Sequence, residues 1–263
     1  MTTRVFKMPT AIASPGVLPR IAVSTPEKQI GALRLAGGLR AWWQADVGFM
    51  DGAAIEWIDR IGSKRLLAAQ LPGMAASVPV KQEAAIKGAA AISFSTASLI
   101  DPAGQNFFPL NADFSFVVVC RFVPTDGAVV VCNHAPWATA TYLVRHNTNR
   151  FSWAMNGYSV SGAEGSAPSD VVHVVVCGYT AATKTLTLRQ NGTLVQSMAR
   201  AQHINQDSRL RVGAHVGPDN AVTFSVDAGG LIPLVMAFGS DITADARAAD
   251  LAVVEGWLID RYR

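Results

Sequence analysis

From Leu39 onward the chain sets short β-branched and aromatic runs between Gly, Asn, Asp and Ser turns: AISFSTASLI, DFSFVVVCRFV, GAVVVCNH, TYLVRH, RFSWAMNGYSV, VVHVVVCGYT, KTLTLRQ, TLVQSMA, LRVGAHV and VTFSVDA. Runs of that length and spacing predict an all-β sandwich or barrel. TLTLRQNGTLVQSM predicts a hairpin, because Asn191-Gly192 accepts the positive φ angles of a type I′ turn. In DFSFVVVCRF one parity carries Phe114, Phe116, Val118, Cys120 and Phe122, while the other still carries Val117 and Val119. VVHVVVCGY behaves alike. A solvated face alternates more cleanly, so these strands are expected to be covered on both sides, by an N-terminal arm or by another subunit. The period changes at the C-terminal end. Ala246, Ala249 or Asp250, Val253 or Val254, Trp257 and Arg261 recur at three-to-four spacing and predict one amphipathic helix over about 243–261. Thr243 is its expected N-cap, and Asp245 sits in its first turn against the helix dipole.

Residues 1–38 show no lasting period. Pro9, Pro15, Pro19 and Pro26 interrupt every apolar run, which predicts an extended arm before a domain spanning 39–263. The arm is not a solvated linker: Val5, Phe6, Ile12, Val17, Leu18 and Ile21 are costly to leave in water at about 25 cal/mol per Å² of apolar surface. It is expected to lie on its own domain or on a neighbouring subunit.

Composition narrows the function classes. Half of the 263 residues are hydrophobic and 16% are charged, far from the signature of disorder. The net charge of +3 comes from scattered Lys and Arg with no basic stripe, so nucleic acid is not an expected partner. The broken apolar runs at the N-terminus argue against a secretory signal, and the longest uncharged apolar stretch, GGLIPLVMAFG, is too short to cross a bilayer. Synthesis in a cytoplasm is therefore expected. The three cysteines, Cys120, Cys132 and Cys177, form no metal-ligand spacing and two end valine-rich strands, so buried free thiols are expected.

In their order these pieces resemble the laminin-G-like, concanavalin-A-like jelly-roll superfamily found in bacterial and phage surface proteins. LRAWWQADVG followed by IEWIDRIGSKRLLAAQ is similar to that family's opening strand and Trp-x-Asp segment, and DFSFVVVCRF to its first long core strand. HVVVCGYTAATKTLTLRQNGTLV is similar to its strand and hairpin, and GGLIPLVMAFGSDITADARAADLAVVEGWLIDRY to its final strand and closing helix. The resemblance covers roughly residues 39–263 and implies a concanavalin-A-like jelly-roll sandwich with an extended N-terminal arm and a C-terminal α-helix. It places Trp42 and Trp43 on the first strand as core residues rather than a ligand platform, with Asp46 and Asp59 holding turns. It does not fix function, since the fold hosts lectins, glycanases, adhesion modules and virion parts.

Candidate chemistry is sparse. Glycanases of this superfamily resemble one another in a Glu-x-Asp-x-x-Glu strand that sets two carboxylates about 5 Å apart, and no such string occurs here. Glu56 and Asp59 in IEWIDR are three apart, which in a strand sends them to opposite faces. The five histidines are too dispersed for local metal ligation, and His173 among valines reads as a satisfied core or edge histidine. Asp219 and Asn220 in GPDN are the only calcium candidates, and one Asp with one Asn falls well short of about six to eight oxygen ligands. The loop-rich stretch from His134 to Tyr158 is the best binding candidate: Trp137 and Tyr158 offer stacking faces, while His134 and Asn156 offer hydrogen bonds to sugar hydroxyls. Trp153 in the same stretch reads as a core strand residue. These features lead to one expectation and two alternatives. The expectation is a non-enzymatic structural protein of a phage-type virion, anchored to neighbouring subunits through its arm. The alternatives are a carbohydrate-binding adhesin that recognises surface glycans, and a divergent glycoside hydrolase.

Overall fold

The computed structural model describes residues 25–36, 38–52, 54–62, 64–70, 77–94, 97–102, 105–109, 111–122, 128–133, 142–155, 158–199, 209–216, 222–225 and 230–263. In chain order the elements are α1 (Thr25–Ala36), β1 (Leu39–Gln44), the single turn α2 (Ala45–Gly48), β2 (Phe49–Asp51), β3 (Ile55–Ile58), β4 (Arg65–Gln70), β5 (Val80–Ile86), β6 (Ala89–Phe94) and β7 (Ala97–Ile100). Next come β8 (Phe114–Arg121), β9 (Ala128–Asn133), β10 (Tyr142–Asn147), β11 (Arg150–Met155), β12 (Tyr158–Ser161), β13 (Val172–Thr180), β14 (Thr185–Gln190) and β15 (Thr193–Ala199). The chain closes with β16 (Leu210–Val212), β17 (Ala214–Val216), β18 (Val222–Ser225), β19 (Gly230–Phe238), a 3-10 turn at Asp245–Arg247 and α3 (Ala248–Tyr262).

Two large antiparallel sheets make the expected all-β sandwich. One has eight strands in the order β15-β14-β13-β8-β19-β6-β5, with β1 also paired to β19; the other has nine, β12-β11-β10-β9-β16-β7-β4-β3-β2. Asn191 and Gly192 take φ angles of 53° and 82°, as the hairpin between β14 and β15 requires. Pro233 explains why β19 has two neighbours on one side. A proline supplies no N–H to a ladder. β19 pairs with β6 through Gly230–Ile232 and with β1 from Leu234 onward, and its register against β8 shifts between Leu231 and Leu234. The bulge inverts side-chain parity, so Leu231 and Leu234 both face outward while Ile232 and Val235 face inward.

The long central strands are apolar on both faces because both faces are buried. Phe114, Phe116, Val118, Cys120, Val175, Cys177 and Tyr179 point between the sheets, where they meet Trp43, Trp57 and Trp153. Val117, Val119, Val174, Val176 and Met236 point the other way, into a second core with Ile30 and Leu33 of α1 and Leu251, Val254, Trp257, Leu258 and Tyr262 of α3. The cover is therefore the chain's own helical layer, not a second subunit. Trp42 and Trp43 divide between these cores, at 2% and 0% exposure, because adjacent residues of β1 point to opposite faces.

Two boundaries differ from the sequence expectation. Thr25–Ala36, read as part of an extended arm, is helical. Its start is legible in retrospect, since Pro26 and Glu27 suit a first helical turn and Ile30 and Leu33 are spaced to bury one edge. The C-terminal helix starts at Ala248 rather than about 243. Thr243 does not cap it. Its N–H and hydroxyl both donate to Asp241 Oδ1, at 2.8 and 2.6 Å, and Asp241 also accepts from the Thr180 hydroxyl at 2.6 Å. This fully engaged carboxylate turns the chain before the helix begins, and Ala246 and Ala249 are left exposed outside the buried stripe.

Candidate functional site

Most of the residues nominated from sequence lie outside the described part of the chain: His134, Trp137 and Asn156, the calcium candidates Asp219 and Asn220, and the arm residues Val5, Phe6, Ile12, Val17, Leu18 and Ile21. Tyr158 is placed. It lies half-buried on β12 and packs against the sandwich core. Trp153 is fully buried, and its indole N–H donates to the Gly178 carbonyl at 3.0 Å. Glu56 reaches Arg65 at 3.4 Å, while Asp59 is 5% exposed and accepts the Gly62 N–H at 2.6 Å, which makes it a turn-holding group. Burial raises the Asp59 pKa above the usual aspartate value, against the lowering effect of these backbone hydrogen bonds. His173 is 2% exposed; its Nε2 lies 2.9 Å from the Pro168 carbonyl and its Nδ1 3.2 Å from the Gln190 amide nitrogen. This is the satisfied histidine that the valine context predicts. The three cysteines are free and buried, and burial pushes each thiol up, Cys132 to about 12. None is an activated nucleophile. Among the described residues no cluster of three His, Cys, Asp or Glu side chains is arranged to hold a metal, and no helix is long and apolar enough to cross a membrane.

Among the described residues the structure presents a pocket that the sequence does not predict. It lies where the start of α1, the β5–β6 turn and the end of α3 converge, with a volume of about 560 Å³, lined by Pro26, Glu27, Lys87, Gly88, Ala89, Trp257, Asp260 and Arg261. Each element brings its side chains there for a local reason. Pro26 and Glu27 start α1, where proline costs no hydrogen bond and a carboxylate suits the helix dipole. Lys87 and Gly88 form the tight turn, with φ of 49° and 81°. From that turn Lys87 Nζ donates to the Asp260 carbonyl at 2.9 Å, tying the hairpin to the last turn of α3. A Lys-Gly pair between apolar runs and the Thr25-Pro26-Glu27 helix start were the available sequence signals. Neither carries chemistry in isolation.

Behind the pocket a polar network locks the helices to the sheet edge. Arg60 Nη1 donates to Glu27 Oε1 at 3.0 Å and to Gln44 Oε1 at 2.5 Å, and the guanidinium lies 4.3 Å from the Trp42 ring centroid. Arg261 Nη2 donates to Asp46 Oδ2 at 2.5 Å, which also receives the Gln44 amide at 3.1 Å. Asp46 Oδ1 accepts the Ala90 N–H at 2.5 Å. Burial by itself would raise the Asp46 pKa; the donors from Ala90, Gln44 and Arg261 outweigh it and hold the carboxyl below its ordinary value. Trp42 and Trp257 meet edge to face, with centroids 5.3 Å apart. Burial pushes the Tyr262 hydroxyl up to about 12. Midway along α3, Arg189 grips Glu255 through Nε and Nη2, both at 3.0 Å.

No family model matches the chain, and the comparison with curated proteins finds no relative. Solved structures do match. The receptor-binding domain of botulinum neurotoxin mosaic serotype C/D superposes with a TM-score of 0.58 at 11% identity, over 84% of this chain and 51% of that one. Botulinum neurotoxin type C, whose cell entry depends on interaction with two ganglioside molecules, matches with a TM-score of 0.54 at 11% identity, over 86% of this chain and 52% of that one. Trypanosoma rangeli sialidase in complex with sialic acid matches with a TM-score of 0.59 at 10% identity, over 85% of this chain and 34% of that one. The chain thus spans about half of the toxin chains and a third of the sialidase. At such identities the likeness defines the fold alone, a two-sheet β-sandwich.

Proposed function

We propose that the protein is a saccharide-recognition domain of the receptor-binding kind, acting by binding rather than by hydrolysis. The observation that carries this reading is the sandwich it shares, over most of its length, with a toxin receptor-binding domain and with a toxin whose cell entry depends on interaction with two ganglioside molecules. The sialidase likeness lends less to a hydrolytic reading, because it covers only 34% of that enzyme and because Glu56 and Asp59 are engaged in holding the β3 region. Assembly into a phage-type virion ranks second. The two-faced apolar strands that suggested a docked neighbour are covered by α1 and α3, so that reading keeps only residues 1–24 for support.

A glycan array probed with the full chain tests the proposal. Binding confined to a restricted set of glycans is expected, and absence of binding to any glycan refutes it. Trp137→Ala, run on the same array, reports whether the loop between His134 and Tyr158 supplies the contact: loss of binding assigns the site there.

A further inference from the structure

We infer that the pocket between α1, the β5–β6 turn and α3 is a site for a neutral saccharide of one or two rings, an inference that rests on the saccharide-recognition reading. Size comes first. At about 560 Å³ the pocket falls within the roughly 300–1,000 Å³ typical of small-ligand sites. Charge decides the ligand class. The lining holds two carboxylates, Glu27 and Asp260, and two cations, Lys87 and Arg261, and the more buried member of each kind is already neutralised from behind: Glu27 by Arg60 and Arg261 by Asp46. A free anion entering here meets both carboxylates and the negative end of α3. A free cation meets Lys87 and Arg261. An apolar ligand strands the charged groups without water.

Hydroxyl groups avoid all three penalties, since each can donate one hydrogen bond and accept others while staying neutral. Vicinal hydroxyls can accept from Lys87 Nζ and donate to the Asp260 carboxylate, both on exposed residues at the mouth. Pro26 and the accessible margin of Trp257, 8% exposed, supply apolar wall against C–H faces. The site is also pre-organised. Lys87 is held to α3 by its bond to the Asp260 carbonyl, and Arg261 is fixed by Asp46, so little side-chain freedom is lost on binding.

The test is a ¹H–¹⁵N NMR titration of the full chain with methyl glucoside, methyl galactoside, maltose and lactose, and with sialic acid and glucuronate as acidic counterparts. Saturable shifts centred on the amides of Gly88, Ala89, Asp260 and Arg261 are expected, with neutral sugars binding at least as tightly as acidic ones. Asp260→Ala weakens this binding about tenfold, the effect of losing one charge-assisted hydrogen bond. Lys87→Met, at the other side of the mouth, repeats the measurement with a different fold risk, and thermal melting of both variants establishes that they are folded. Shifts centred elsewhere, folded variants that bind like the wild type, or preference for the acidic sugars overturn the assignment. The glycan array separates the two levels. If the wild type binds glycans and only Trp137→Ala abolishes it, the pocket fails and the saccharide reading stands; if the wild type binds none, both fail.

Discussion

Trp43 and Trp42 are neighbours in one strand, yet they serve two different ways of burying a sheet. Trp43 faces the core between the two sheets, in which aromatic rings interlock: Phe107 stands edge-on to it at 5.4 Å, and beyond it Phe114 meets both Phe108 and Phe116 edge to face. Trp42 faces a thinner layer in which two helices cover aliphatic strand residues, and the layer is finished at its margin by ion pairs and a cation over the ring. The inner core is held mainly by shape, with Lys64 Nζ over the Phe107 ring at 4.8 Å from its centroid. The outer one is closed by a polar lock, and the pocket opens beside that lock. The inferred saccharide site thus lies at the margin of the layer where polar groups close the packing, as small-ligand sites favour convergent polar groups set in apolar walls.

Removing each tryptophan separates the two cores and is expected to give the largest effects. Trp43→Ala costs about 4 kcal/mol, in the range for emptying an aromatic site in a close-packed interior. Trp42→Ala costs about 3 kcal/mol, because α1 and α3 can settle partway into the space. Urea unfolding measures the two values, and amide hydrogen exchange locates them. Loss of protection after Trp42→Ala concentrates in α1 and α3 while β8 and β13 stay protected; after Trp43→Ala it spreads through both sheets. Equal patterns would mean that the helical layer and the sandwich unfold as one unit.

The same comparison explains what the sequence disclosed. Strand existence, the Asn191-Gly192 hairpin and the double-sided burial of β8 and β13 follow from β-branched runs, turn residues and apolar positions on both parities, which are local signals. What covered the outer face is not local. Among its described side chains α1 buries Ile30 and Leu33 into the layer, a narrow stripe that does not stand out beside the prolines that precede it. The pocket was less legible still, because its residues come from three segments far apart in sequence and each has an ordinary local role there. A cluster joining Asp46 to Arg261 across 215 positions has no periodicity to read. Of the residues that look chemical in the stretch from His134 to Tyr158, Tyr158 packs against the core, which shows how readily an aromatic strand resembles a binding surface.

Acid sharpens the contrast, with opposite signs at two aspartates. Asp46, in the lock, has a folded pKa below its unfolded value near 3.8, so its stabilisation is present above that value and is lost as pH falls through the depressed one. Asp59, in the β3 turn, has a raised folded pKa; its folded form takes up a proton more readily, so stability is gained as pH falls through the raised value and is complete below the unfolded one. Asp46→Asn therefore costs about 1–2 kcal/mol at neutral pH, through weaker bonds to Arg261 and Ala90, and the difference from wild type shrinks below about pH 4. Asp59→Asn, which keeps an acceptor for Gly62 without a buried charge, shows little cost at neutral pH and loses the gain on acidification. Urea midpoints measured against pH for the three proteins check both signs. Parallel curves would mean that neither carboxylate is coupled to folding.

The smallest effect comes from the outer face of α3, which is exposed among the described residues. Gly256 lies exposed in α3, immediately after Glu255, which is 6% exposed and gripped by Arg189. A Cβ built at position 256 meets no atom within 4 Å, and glycine is otherwise a poor helix residue because it gives up the most backbone freedom on folding. Gly256→Ala is therefore expected to stabilise the protein, by about 0.5–1 kcal/mol. The gain should register as slower hydrogen exchange in α3 with little change in the central strands, since nothing at the outer surface of the helix communicates with the aromatic core. A rise in melting temperature without that local signature would place the effect in the unfolded chain alone, whereas a loss of stability would mean that the outer face of α3 is in contact with another part of the protein. The substitution thus probes whether the helical layer is the last layer of the fold.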